Sequence, residues 1–194
     1  MVTFEELTKL RELNKLKSTY RRAKVKERQE SVAEHTWGCL MLAKYFGEEM
    51  KLNLDMQKVY ELLIFHDVAE INIGDVPIAT KQELRERENE ERENLVKISK
   101  GLPKRFGKNV LELSEEFESA KTMEAKFAKI IDCIEANLQG IDNDRRVYWK
   151  GWGEETIKRI YQKRFHEVPG FAEFFEDMIK WLLENGYLSE RSEV

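Results

Sequence analysis

The chain has 194 residues, enough for one domain that buries a core without help. A net charge of −4 argues against a general nucleic-acid binder, whose footprint would be basic, and leaves small anionic substrates open. No run of about 18 apolar residues exists, and MVTFEELTKL carries acids where a signal peptide carries bases, so a soluble cytoplasmic protein with no membrane partner is expected.

Apolar residues recur at helical spacing almost throughout, and no stretch alternates, which predicts an all-α domain. Phe4, Leu7, Leu10 and Leu13 mark a first helix, followed by a basic connection without period, YRRAKVKERQ at 20–29. A second helix is expected from about Ala33 to Met50 and contains His35, with Trp37 read as packing. Asp55 is the expected N-cap of a third, through Val59, Leu62, Leu63 and His66. The turn INIGDVP then breaks the pattern with Gly74 and Pro77. KQELRERENEERENLVKISK reads as a charged helix with a solvated face, closed by Gly101 at the C′ position. Pro103 opens the next helix through Phe117, and Thr122 caps a long one through Leu138. The last two cover roughly 154–165 and 169–185, with Gly186 as the stop. Two cysteines, Cys39 and Cys133, lie in apolar helical surroundings and form no CxxC, which reads as buried thiols in a reducing compartment.

Within this frame FHDVAEINIGD, residues 65–75, places an imidazole and a carboxylate in a helix core. Burying them costs several kcal/mol unless both are satisfied. His66 and Glu70, four apart, are expected to share one helix face, with Asp67 about 100° around from His66. His35, in ESVAEH, and Asp132, in AKIIDCIEA, break the apolar rule in the same way. Singly, each has a structural explanation: a hydrogen-bonded core histidine, or an aspartate holding a loop or orienting its neighbour. Together they form a mixed nitrogen and oxygen donor set. One divalent cation satisfies all four, and the set suits Mn, Fe, Co, Ni or Mg with water better than a closed zinc site.

An isolated His, a His-Asp pair on a later helix and a distant Asp resemble the metal signature of the HD-domain phosphohydrolases. ESVAEH, HDVAEINIGDVP and KIIDCIEA are similar to one branch in particular, the 5′-deoxynucleotidases, which cleave deoxyribonucleoside 5′-monophosphates. The resemblance implies a single HD-domain helical bundle over residues 1–194. Its metal motifs lie within 30–135, and helices over 154–186 pack on that core. It implies a nucleotide substrate, one divalent metal ion held by His35, His66, Asp67 and Asp132, and Glu70 activating the attacking water. Asp75 would stand near the sugar and scissile phosphate, with Val76, Pro77 and Ile78 beside it. Related enzymes place an Arg and a Trp upstream of the first His motif; here STYRRAKVK has no Trp, and Arg21 is the candidate phosphate clamp. The missing Trp keeps a different nucleotide or small phosphomonoester in view, and a degenerate nucleotide-binding sensor is the non-enzyme alternative. The apolar final helix, FAEFFEDMIKWLLENG, suggests core and part of a homodimer interface.

Overall fold

The computed structural model describes residues 2–74, 81–142 and 153–188. Among them are eight α-helices and one small hairpin. Helix α1, Phe4–Lys9, starts at a reciprocal cap in which Thr3 accepts from the Glu6 amide and Glu6 accepts from the Thr3 amide. A 3-10 stretch, Leu10–Ser18, continues it. The expected first helix is therefore short. Phe4 and Leu7 face solvent, and only from Leu10 onward does the stripe meet the core.

The segment expected to be an irregular connection is a β-hairpin, β1 (Tyr20–Val25) and β2 (Arg28–Ser31), paired antiparallel with Tyr20 opposite Ser31 and Val25 opposite Arg28. Burial does alternate along β1: Arg21, Ala23 and Val25 turn inward, Tyr20, Arg22 and Lys24 outward. Hydropathy hides this, because an arginine and an alanine occupy inward positions that apolar side chains would normally mark. The hairpin leads straight into α2, Val32–Glu49. There Ser31 and Glu34 form a second reciprocal cap, and Arg28 grips the Glu34 carboxylate with both terminal nitrogens at 2.8 and 2.5 Å. This pairing holds Glu34 down at a pKa of about 2.

Helix α3, Met56–Phe65, begins at the expected Asp55 cap but ends one residue before His66. A 3-10 turn, Val68–Glu70, replaces the predicted continuation. The helix can stop inside the core because its last carbonyls, and those of the turn that follows, find side-chain donors. His66 Nδ1 serves Leu63, Ser114 serves Phe65, and Asn94 serves both Ala69 and Ile71. The charged helix α4, Lys81–Gly101, includes Gly101 as its last helical residue, with no left-handed turn there. Its face is not wholly solvated: Leu95, Ile98 and Ser99 are buried, and so is Arg87, paired with Glu91.

Helix α5 spans Lys104–Ser119 and α6 spans Met123–Asp142, where Thr122 accepts from the Ala125 amide as expected. Helix α6 is central, packed against α2, α3 and α5. Helices α7 (Glu154–His166) and α8 (Phe171–Glu184) close the bundle. Phe171 of α8 packs on Phe46 of α2 and Phe127 of α6, with ring centroids 5.3 and 5.7 Å apart. Gly186 follows with φ 74°, matching the stop signal. Among the described residues no helix is long and apolar enough to cross a membrane.

Candidate metal centre

Three elements converge where the core turns polar. His35 lies in the first turn of α2 and is fully buried; His66 closes α3 and Asp67 follows it; Asp132 projects from the middle of α6. His35 Nε2 stands 3.1 Å from Asp132 Oδ1 and 3.9 Å from Asp67 Oδ2. His66 Nε2 stands 3.1 Å from the same Asp67 oxygen. The four residues chosen from sequence are thus brought together, although they reach the site from a helix start, a helix end, a turn and a mid-helix position.

The tautomers suit ligation. His66 donates its Nδ1 proton to the Leu63 carbonyl at 2.7 Å, which turns Nε2 toward the cluster. His35 presents Nδ1 to the buried Glu135 carboxylate. Yet His66 Nε2 and Asp67 Oδ2 are buried and make no hydrogen bond, even to each other. Two buried ligand atoms 3.1 Å apart, held by charge attraction but without a well-aligned hydrogen bond, fit a shared cation. Cys39 Sγ is also close, 3.6 Å from His35 Nε2, and His35, Cys39, His66 and Asp132 offer atoms all within 4.8 Å of one another. Burial pushes the Cys39 thiol up to about 12, so it stays protonated and is a poor rival to the ionised Asp67.

The local electrostatics call for positive charge. Burial alone would lower the His35 pKa, but contacts to Asp132, Cys39 and Glu135 outweigh it and hold it well above the usual imidazole range. His66 is raised too, its burial outweighed chiefly by the attraction of Asp67. Burial would raise Asp67 and Asp132; the neighbouring imidazoles and Arg21 hold both below the usual carboxylate range instead. The same carboxylates that favour protons on His35 and His66 would favour a divalent ion between them.

Around this centre, Glu70 sits half-buried on the 3-10 turn and borders two cavities that reach the cluster. Arg21 lies on the inward face of β1, with Nη1 3.6 Å from Asp67 Oδ2 and Nε 3.4 Å from the buried Glu30. Arg22 points outward. Asp75, Val76, Pro77 and Ile78 lie outside the described residues. Trp37, expected to pack, is 69% exposed on the outer face of α2. Sequence reasoning missed Glu135, Glu30 and Asn94. A signal existed for Glu135, which follows Asp132 at i+3 and so shares its helix face.

A family model described as an HD domain matches residues 13–171. The human 5′-deoxynucleotidase HDDC2 is 34% identical over 113 residues, 58% of this chain and 54% of that protein. The chain thus spans about half the length of the curated relatives it matches. Among solved structures, a predicted metal-dependent phosphohydrolase from Magnetospirillum magnetotacticum superposes with a TM-score of 0.81 at 22% identity, covering 97% of this chain and 100% of that one. An HD-domain phosphohydrolase from Listeria innocua gives 0.67 at 22%, covering 93% and 91%. With a family model spanning most of its length, and two histidines and two aspartates meeting in the bundle, the chain belongs to the HD-domain family.

Proposed function

We propose that this chain is a metal-dependent phosphohydrolase that releases phosphate from 2′-deoxyribonucleoside 5′-monophosphates. The observation that carries the reading is the meeting of His35, His66, Asp67 and Asp132 at a cavity that Glu70 and Arg21 also border. The name of the human relative points to the same substrate class. His35, His66, Asp67 and Asp132 would hold one divalent ion; the nitrogen and oxygen donors favour Mn, Co, Ni, Fe or Mg. Such an ion lowers the pKa of a bound water and offsets phosphate charge. Glu70, on the same cavity wall, accepts the proton of the attacking water. Arg21, with its guanidinium already beside Asp67, forks onto two phosphate oxygens. The leaving oxygen would take its proton from Asp75 or from water; the family resemblance, and not the described structure, assigns Asp75, Val76, Pro77 and Ile78 to the sugar.

The proposal includes a cytoplasmic homodimer. Phe171, Phe175, Ile179 and Leu182 of α8 are buried in the chain's own core, which leaves its exposed side with Trp181 for a dimer contact, and light scattering reads the mass.

The test is phosphate release from the four deoxynucleoside monophosphates and from adenosine monophosphate, with Mn, Co, Ni and Mg in turn. Deoxyadenosine monophosphate should exceed its ribo counterpart in kcat/KM, with little difference among bases. Asp67→Ala should lose metal and activity together. Equal ribo and deoxy rates overturn the sugar preference alone. No release from any nucleotide with any ion overturns the reaction and favours a binding sensor.

A further inference from the structure

The two cavities that reach the metal cluster differ in charge, one strongly acidic and the other nearly balanced among the described residues. The wider, about 680 Å³, is bounded among the described residues by Glu88, Glu91, Glu115 and Glu118 against Arg92 and Lys129. The narrower, about 320 Å³, is lined by Arg21 of β1 and by Tyr161 and Arg164 of α7, and among the described residues its carboxylates are Asp67, Glu70 and Asp132. An anion is therefore favoured on the α7 side.

Arg21 does not bring a free charge to that cavity. Its Nη1 lies 3.6 Å from Asp67 and its Nε 3.4 Å from Glu30. A divalent ion and Arg21 together only offset Asp67, Glu70 and Asp132. A phosphate dianion placed there still needs a cation. Arg164 is one turn beyond Tyr161 on α7, and it pairs with no carboxylate among the described residues.

We propose that Arg164 is a second phosphate-binding residue, facing Arg21 across the narrower cavity, so that the phosphate of the substrate lodges between β1 and α7 beside the metal cluster. The inference rests on the phosphomonoesterase reading for the identity of the ligand. A guanidinium at this position can take two phosphate oxygens in a fork, which an ammonium cannot reproduce. Its side chain is exposed and so available to a ligand.

The test uses the full chain loaded with metal, and inorganic phosphate as the probe, with affinity measured by calorimetry alongside KM and kcat for deoxyadenosine monophosphate. Arg164→Gln should weaken phosphate about ten- to a hundredfold, in line with the loss of a charge-assisted contact. KM should rise in parallel, while kcat, metal content and melting temperature stay near the parent values. Arg164→Lys should recover part of the affinity. Arg159→Gln, on the same helix but away from this cavity, should change nothing. Phosphate affinity and KM within twofold of the parent in Arg164→Gln would overturn the assignment, as would a parent protein that binds no phosphate. The two readings fail separately. If no nucleotide is hydrolysed but Arg164→Gln still weakens phosphate, the anion site stands without the reaction. If hydrolysis proceeds and Arg164→Gln is neutral, the reaction stands without this residue.

Discussion

Glu135 stands one turn past Asp132 on α6 and turns its carboxylate to His35 Nδ1, the ring nitrogen that faces away from the cluster. Metal-binding imidazoles are commonly oriented by such a contact. The opposing helix makes room for it: a Cβ at Gly38 of α2 would come 2.7 Å from Glu135 Oε1. Glu135→Gln keeps the shape but removes the charge, so metal affinity should fall about 10–100-fold with the fold unchanged. A metal-buffered titration measures it, and an unaltered affinity would reduce Glu135 to a packing role. At this scale the four candidate ligands were legible because His35, His66, Asp67 and Asp132 interrupt apolar runs. Glu135 was overlooked, although its i+3 spacing from Asp132 on an apolar helix was a signal; its partner His35 lies 100 residues away in sequence. Arg21 was legible only as a member of a basic segment. Its inward direction depends on the strand that sequence periodicity concealed.

Among elements, long amphipathic helices were the easiest to read, and Thr122, Asp55 and Gly186 marked their ends. The end of α3 was harder. A helix that stops in the core needs donors for its carbonyls and for those of the turn after it, and these come from Ser114 for Phe65 and Asn94 for Ala69 and Ile71, 49 and 23–25 residues away in sequence. The contact of α4 with α5 was also invisible. Gly107 on α5 lies so close to α4 that a Cβ there would fall 2.1 Å from the Ser99 carbonyl oxygen. Helix propensity favours alanine over glycine by up to about 1 kcal/mol. A backbone atom cannot swing aside as a side-chain tip can, so the clash should win. Gly107→Ala should destabilise by about 1–3 kcal/mol, as overpacking does. For a chain of this size that lowers Tm by roughly 2–12 °C. A thermal melt decides it; a rise in Tm would mean that the helices separate at no cost. The contact bears on the site because Asn94 of α4 holds the turn that carries Glu70.

For the molecule as a whole, the all-α bundle followed from helical periodicity, whereas the convergence of α2, α3 and α6 on one polar point depends on their packing around α6. That convergence links metal binding to folding, since the unfolded chain holds no such site. The metal-free protein keeps protons on His35 and His66, whose pKa values lie above the ordinary 6.5. A raised value means that this proton-dependent stability is fully present below about pH 6.5 and is lost as pH rises through the raised values. A divalent ion requires neutral imidazoles, so protons compete with it at low pH and withdraw at high pH. The metal-induced gain in stability should therefore grow between pH 6 and pH 8. At an ion concentration about 100 times Kd the gain is about 2.7 kcal/mol, a Tm rise of roughly 5–11 °C for this size of chain. Paired melts with Mn or with a chelator, run at both pH values, measure it. A gain that is absent, or as large at pH 6 as at pH 8, would show that the ion does not displace those protons and that His35 and His66 are not its ligands.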